Sequence, residues 1–347
     1  MENKIIKIGD DEIGENYPCY IIAEIGINHN GKLELAKKLV DAAVESGANA
    51  VKFQKRSLKD LYRTDVLKDP NIESQGLEIL IQVLNEVELK NSDYEELVKY
   101  CRDKKITFLC TPWDKTSVDF LTRFNLPAYK ISSADMTNFP LLKYVSKTKS
   151  PLIVSTGMST IDEIEKTVYF LKKQKIDFIL LHCNSTYPAP LDTLNLKFMN
   201  ILHSKFDVPI GYSGHESGII GTLTAVNMGA VIVERHITLD KTMDGLDQSS
   251  SLNPVEFKTL VKNIRESEIT KGNPIKKMTR GEILQKEVLA KSIVCISDIN
   301  IDEIFSEKNI DVRGPSKGLS PQYFYELLGK KSKRKIKKDE YIQSEDL

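Results

Sequence analysis

Two histidines and two lysines give this chain its chemistry. Ser213 and His215 stand two residues apart, as do Glu234 and His236. Alternate side chains of a β-strand share a face, so each pair points one way. If the two strands are neighbours, the imidazoles meet, and two imidazoles suit Mn, Zn, Fe or Co with the other positions left to water and substrate. Such an ion would exchange readily, unlike structural zinc, which is closed by four protein ligands. Two separately hydrogen-bonded core histidines are the alternative. Lys52 and Gln54 repeat the same spacing, and Lys130 stands inside the apolar run Ala128–Ile131. A buried lysine is costly unless it is paired or functional. The available roles are to hold an anion as a fixed charge or to form a Schiff base. Ser133, Ser155, Gly157, Asn184 and Ser213 add hydroxyls, an amide and close backbone approach, which completes a cradle for phosphate and carboxylate. Glu24 precedes the loop Gly26–Gly31; it positions a sugar hydroxyl, acts as an acid–base, or pairs with Lys52 or Lys130.

These residues sit at the ends of eight short apolar runs: 21–24, 50–54, 107–111, 128–133, 152–157, 179–184, 209–215 and 231–236. Near-continuous Val/Ile/Leu runs read as parallel strands buried on both faces. With helical patterns between them, they predict an α/β fold, a (β/α)8 TIM barrel whose catalytic groups lie at the carboxyl ends of the strands. Helices fit 33–46, 91–104, 159–173 and 218–228, with capping side chains at Asn91–Glu95 and Ser159–Glu163. The connection from Lys55 to Lys90 is too long for an ordinary loop and reads as a surface excursion or a lid. His182, two residues before Asn184, reads as a core histidine pointing into the barrel. Cys110 and Cys183 read as small core residues without an adjacent base, and Trp113 as packing at the third strand's end.

The barrel is expected over residues 1–270. Gly272-Asn273-Pro274 and Arg280-Gly281 mark a linker over 271–285, and 286–347 form a small β-rich module. There, Ile299–Ile304 is weakly echoed by Ile336–Tyr341. The basic run Lys330–Lys338 reads as a solvated hairpin face rather than a nucleic-acid contact. The formal charge is zero, with 49 basic and 49 acidic residues, so no global field recruits nucleic acid or an anionic membrane. No apolar stretch approaches the ~20 residues of a membrane span, and no apolar signal core follows Met1. Five cysteines without a Cys-x-x-Cys fit a reducing cytosol. No Walker loop or Gly-x-Gly-x-x-Gly favours a nucleotide. The expected class is a cytoplasmic enzyme.

At these residues the chain resembles the sialic acid synthase family, the N-acetylneuraminate-type nonulosonate synthases. The matching motifs are Ala23–Gly31, Val51–Gln54, Tyr129–Ser133, Ser155–Met158, His182–Pro188, Gly211–His215 and Glu234–Asp240. The tail resembles the family's antifreeze-like (SAF) domain, a β-clip, with Arg313–Pro321 at its signature. The resemblance implies condensation of phosphoenolpyruvate with an N-acylated hexosamine, N-acetylmannosamine first, to a nine-carbon 2-keto acid and phosphate by C–O cleavage. It implies that Lys52, Lys130, Ser133, Ser155, Asn184 and Ser213 hold phosphoenolpyruvate. His215 and His236 would carry a divalent metal, usually Mn2+, with Mg2+ or Co2+ as alternatives. Glu24, Gln54, Tyr187 and Asp247 would face the sugar, with Glu24, Asp135 and Glu234 as candidate proton shuttles. Arg313 would reach the N-acyl group from a partner chain, which implies a domain-swapped homodimer.

The chain departs from the family pattern at Gln248, where many members have His, and at Gly314, which separates Arg313 from Pro315. Two other acceptors stay open. One is 2,4-diacetamido-2,4,6-trideoxymannose, giving a legionaminate synthase. The other is N-acetylmannosamine 6-phosphate, since the stretch Glu234–Lys241 also resembles the animal enzymes. Three rivals remain at this level. One is a Schiff-base lyase using Lys130, another a phosphoenolpyruvate synthase taking a shorter sugar phosphate, and the third a non-catalytic carbohydrate-binding protein.

Overall fold

The computed structural model describes residues 4–69 and 76–347. A hairpin, β1 (Ile6–Ile8) and β2 (Asp11–Ile13), opens the fold. Eight parallel strands follow: β3 (Tyr20–Gly26), β4 (Ala50–Lys55), β5 (Thr107–Pro112), β6 (Tyr129–Ile131), β7 (Leu152–Ser155), β8 (Phe178–Cys183), β9 (Ile210–Gly214) and β10 (Ile232–His236). They close into a barrel in sequence order, β10 pairing with β3 as Ile232 opposite Tyr20 and His236 opposite Glu24. All eight expected strands are present, and the TIM barrel is the observed architecture.

Alternation along each strand makes two apolar layers. Residues such as Tyr20, Ile22, Ala50, Leu109, Ala128, Ile153, Ile179 and Leu181 fill the interior. Their neighbours, among them Ile21, Ala23, Val51, Val154 and Leu180, pack outward against the helices. Ile6, Ile8 and Ile13 of the hairpin join the interior cluster, so β1 and β2 stopper the amino-terminal end of the barrel and leave the other end for chemistry.

The helices of the barrel unit are α1 (Leu33–Ser46), α2 (Leu58–Leu61), α3 (Thr64–Lys68), α4 (Leu77–Val87), α5 (Asn91–Asp103), α6 (Lys115–Thr122), α7 (Phe139–Val145), α8 (Ile161–Gln174), α9 (Phe198–Lys205), α10 (Ile220–Asn227) and α11 (Pro254–Lys271). The expected capping is observed at α8, where Thr160 and Glu163 bond each other's backbone N–H. The long second connection carries α2, α3 and α4. Helix α4 buries Ile81, Leu84 and Val87, and a Lys55–Glu88 ion pair at 2.5 Å ties its end to β4. Gly31, at φ 69°, lets the loop after β3 approach that helix: a Cβ there would lie 2.5 Å from the Glu86 carbonyl. Residues 70–75 of this connection lie outside the described residues. Among those described, no helix is long and apolar enough to cross a membrane. The five cysteines are buried free thiols.

Asn273–Leu347 form a second compact unit. The stretch read as linker contains the start of a helix, α12 (Arg280–Leu289), capped by Thr279 and Glu282. Strands β11 (Ser292–Cys295) and β12 (Ile310–Arg313) pair antiparallel over a core of Ile293, Ile299, Phe305, Ile310, Ile336 and Ile342. The two echoing segments face each other, since Ile299 and Ile336 are bridged and both fully buried. The lysines of 330–338 are exposed around buried Ser332 and Ile336.

The stopper role of the hairpin makes Ile8 a test position. Ile8→Ala should cost about 2–5 kcal/mol in urea unfolding of the barrel, because the side chain is fully buried among strand residues. A loss under about 0.5 kcal/mol, typical of surface substitutions, would mean that the hairpin does not plug the barrel.

A candidate active site at the mouth of the barrel

The carboxyl ends of the strands bring four buried charges together. Glu24 lies opposite Lys52 in the β3–β4 register, and its Oε2 is 2.7 Å from Lys52 Nζ. Glu234 Oε2 lies 3.7 Å from the same nitrogen, and Lys52 also donates to Thr111 Oγ1 at 2.9 Å. Lys130 donates to Ser155 Oγ at 2.6 Å and to the Ile131 carbonyl at 2.9 Å. Ser213 donates to Glu234 Oε1 at 3.3 Å. Two ammonium groups and two carboxylates thus share one nearly dry space.

Their environments push the titrations apart. Burial, reinforced by Glu234, raises the Glu24 carboxyl above its usual value despite the opposing Lys52. Burial also works to raise Glu234, but Lys130 and Lys52 outweigh it and hold that carboxyl below the usual range. Burial lowers Lys130, helped by Lys52. Burial pulls on Lys52 in the same sense, but there Glu234 and Glu24 outweigh it and raise the ammonium group. Two carboxyls separated in this manner are suited to different halves of a proton transfer.

Beside them stand the imidazoles, with ring centroids 5.5 Å apart. His215 Nδ1 donates to the Asn184 carbonyl at 2.8 Å, which leaves the lone pair on Nε2. Burial lowers His236 to about 4, so the ring is neutral at pH 7. Its Nδ1 has no hydrogen-bond partner among the described residues and lies 3.8 Å from Asp247 Oδ2. Glu234 Oε2 is likewise buried and lacks a hydrogen bond. These orphaned acceptors fit a divalent cation. Among the described residues no group of three His, Cys, Asp or Glu forms a ligand set, so water and substrate would complete the shell. The Tyr187 ring closes the site 4.1 Å from that of His215.

The lysine–serine side of the cavity faces the histidines. Lys130, Ser133, Ser155 and Ser213 line the cavity with Ser185. Gly157 packs under it, since a Cβ there would fall 2.6 Å from Ser133 Oγ. Two expected members turn away. Asn184 donates to Thr193 and accepts from the Thr186 N–H, so only its carbonyl serves the site, through His215. Asp135 sits in the turn after β6, where strand alternation has ended; its carboxylate bonds Ser132 and Asn138 and faces a separate cleft with Asp114 and Leu141. His182 also differs from expectation. It packs outward against Phe198 and Tyr212 and bonds the Leu194 carbonyl, because Ile179, Leu181 and Cys183 take the inward positions of β8. Cys183 does have an imidazole beside it, with Sγ 3.8 Å from His215 Nδ1, but that nitrogen carries the proton it gives to the Asn184 carbonyl.

Gln248 is fully committed to the scaffold. It accepts from Thr238 and donates to the Asn28 carbonyl at 3.2 Å, stapling the loops after β3 and β10. Arg313 belongs to the second unit, where it pairs with Asp339 at 3.2 Å and Asp311 at 3.7 Å. Thr111 and Trp113 line the mouth. The sequence does not single out Arg56, although it continues the Lys52–Gln54 alternation by one step. Arg56 is 4% exposed, stacks on Trp113 and donates to Gln54 Oε1, so that Gln54 Nε2 is turned to Glu24 at 2.9 Å. Its Nε and Nη1 have no hydrogen-bond partner among the described residues.

Comparison with known proteins agrees with this architecture. Residues 39–276 match the model of the NeuB family, and residues 290–347 that of the SAF domain. The chain is 40% identical over 333 residues to the N,N'-diacetyllegionaminic acid synthase of Campylobacter jejuni, covering 93% of this chain and 98% of that one. It is 36% identical over 336 residues to the N-acetylneuraminate-9-phosphate synthase of Homo sapiens, covering 96% and 94%. Among solved structures, the N-acetylneuraminic acid (sialic acid) synthetase of Leptospira borgpetersenii superposes with a TM-score of 0.72 at 34% identity, over 82% of this chain and 95% of that one.

The Glu24–Lys52 pair yields a stability prediction. Lys52→Met strands a buried carboxylate, which should cost about 3 kcal/mol at pH 7 in urea unfolding. A carboxyl raised by the fold loses stability as the pH climbs above its unfolded value and regains it as the pH falls. The penalty should therefore shrink between pH 7 and pH 5. A penalty independent of pH would mean that Glu24 is not the group left unpaired.

Proposed function

Because the chain belongs to the NeuB family and ends in a SAF domain, we propose that it is a phosphoenolpyruvate-dependent nonulosonic acid synthase whose acceptor is the open-chain aldehyde of an N-acylated hexosamine, N-acetylmannosamine first. The observation that carries this reading is the pairing, across one mouth, of a lysine–serine cradle with two free imidazole acceptors. Lys130, Ser133, Ser155 and Ser213 hold the phosphate and carboxylate of phosphoenolpyruvate, with Lys52 behind them as a second fixed charge. His215 and His236 would hold a divalent ion, Mn2+ as first choice, which when bound supplies Lewis-acid polarisation of the aldehyde carbonyl. Gln54, Tyr187 and Asp247 stand on the acceptor side of the site.

The alkene carbon C3 of phosphoenolpyruvate attacks the aldehyde carbon, and water adds to the electron-deficient C2. Phosphate then leaves from C2 with the bridging oxygen, which balances the reaction as acceptor plus phosphoenolpyruvate plus water to keto acid plus phosphate. Lys130 and Lys52 meet the charge on the leaving group. Glu24, raised toward its protonated form, gives a proton to the new hydroxyl. Glu234, held ionised by the lysines, takes one from the entering water. The 40% identity to a legionaminic acid synthase favours 2,4-diacetamido-2,4,6-trideoxymannose as a second acceptor to test.

Phosphate release from phosphoenolpyruvate should require Mn2+, stop with EDTA and occur with one of three sugars: N-acetylmannosamine, its 6-phosphate or the 2,4-diacetamido sugar. No release with any of them, in protein that still binds phosphoenolpyruvate, would overturn the synthase reading. Arg56→Met frees the Gln54 amide and should raise the acceptor KM about tenfold, the worth of one hydrogen bond to a charged group. The KM for phosphoenolpyruvate should stay within about twofold. Equal effects on both would remove Arg56 from the acceptor side.

A further inference from the structure

Strand alternation gives each histidine of the mouth a neighbour on the opposite face. Beside His215 stands Glu216, and beside His236 stands Arg235. In the β9–β10 register Arg235 lies opposite Gly214 and Glu234 opposite Ser213, and Glu216 follows just past the end of β9. Arg235 is 1% exposed and Glu216 is fully buried. Arg235 Nη1 donates to Glu216 Oε1 at 2.9 Å, to Thr222 Oγ1 at 2.8 Å and to the Gly218 carbonyl at 2.9 Å, while Nη2 donates to the Glu216 carbonyl at 2.6 Å. Glu216 Oε1 accepts from the Thr222 N–H and hydroxyl, both at 2.9 Å, and Oε2 accepts from Tyr212 OH at 2.9 Å.

Two glycines make room for this network. A Cβ on Gly214 would lie 2.9 Å from Arg235 Cδ and 2.5 Å from Glu216 Oε2, and one on Gly221 would lie 2.8 Å from Glu216 Oε1. A buried ion pair is weak evidence for stability, because desolvation offsets most of its attraction. Its geometry fits a different role. It joins the tips of β9 and β10 and the first turn of α10 into one rigid unit, on the side of the strands away from the imidazoles.

We propose that Glu216 and Arg235 are positioning residues that hold the strand tips so that His215 and His236 can share one divalent ion. The proposal rests on the metal-dependent reading above. Mn2+ affinity of the full chain, read from the free-ion signal in electron paramagnetic resonance, tests it without turnover. Arg235→Met should weaken Mn2+ binding about tenfold or more, the usual effect of removing an outer-shell support. Arg235→Lys, which keeps the charge but not the fork, should recover part of the loss. Phosphoenolpyruvate binding without metal, measured by calorimetry, should change less than about twofold, since its cradle lies mainly on β6 and β7. Gly214→Ala and Glu216→Gln disturb the same network with both strands' histidines intact, and they decide the question if Arg235→Met does not fold. Folded variants that bind Mn2+ like the wild type would overturn the proposal. A wild-type chain that binds phosphoenolpyruvate but no Mn2+ would instead overturn the metal reading, and the proposal with it.

Discussion

The mouth of this barrel is organised by a charge constraint. Lys52, Lys130, Glu24 and Glu234 are each at most 5% exposed, and ions removed from water so completely persist only if their charges balance and their hydrogen bonds are filled. Glu24 and Lys52 satisfy each other, Glu234 lies 3.7 Å from Lys52 Nζ and is held ionised by the charges of Lys130 and Lys52, and Lys130 bonds Ser155 and a carbonyl. The set is neutral, but it is not complete. Among the described residues, Glu234 Oε2 and His236 Nδ1 find no hydrogen-bond partner. A divalent cation on the histidine side would fill both, and the lysines across the same cavity would meet an anion, so two charged ligands of opposite sign fit one space.

The rest of the architecture serves that arrangement. The amino-terminal hairpin closes one end of the barrel with isoleucines, so that polar groups are confined to the other. Parallel register places Glu24 next to both Lys52 and His236, linking the lysine side and the histidine side around the rim. Behind the imidazoles, where a helix packs, an ionic network replaces the usual apolar contact between strand and helix. Arg56 extends the same logic upward: a cation stacked on Trp113 fixes the face of Gln54 that the acceptor would meet.

Much of this is legible in the sequence because period-two spacing is a strong signal. Spacing alone pairs Ser213 with His215, Glu234 with His236 and Lys52 with Gln54, and each pair lines the mouth. The same rule, carried one step further, reaches Arg56. It fails where its phase is anchored on the wrong residue. Asn184 is a poor anchor for His182, because the apolar residues Ile179 and Leu181 set the inward phase of β8 and send both polar side chains outward. It also fails past the strand ends. Asp135 lies in a 3-10 turn, where alternation carries no information about direction, and its carboxylate is taken by Asn138. The outward pair Glu216–Arg235 is hidden for a different reason: alternation places Arg235 on the far face of β10, but only the fold brings Glu216, past the end of β9, against it.

Under the proposed function a neutral, buried charge set receives a multiply charged anion, with the raised Glu24 carboxyl making up the difference. Calorimetric titration of phosphoenolpyruvate at pH 7.5 in two buffers of different ionisation enthalpy measures the protons exchanged on binding. Uptake of about one proton is expected, lost in Glu24→Gln, because an incoming anion drives the most easily protonated carboxyl to its neutral form. Binding with no net proton exchange, or uptake unchanged in Glu24→Gln, would contradict it.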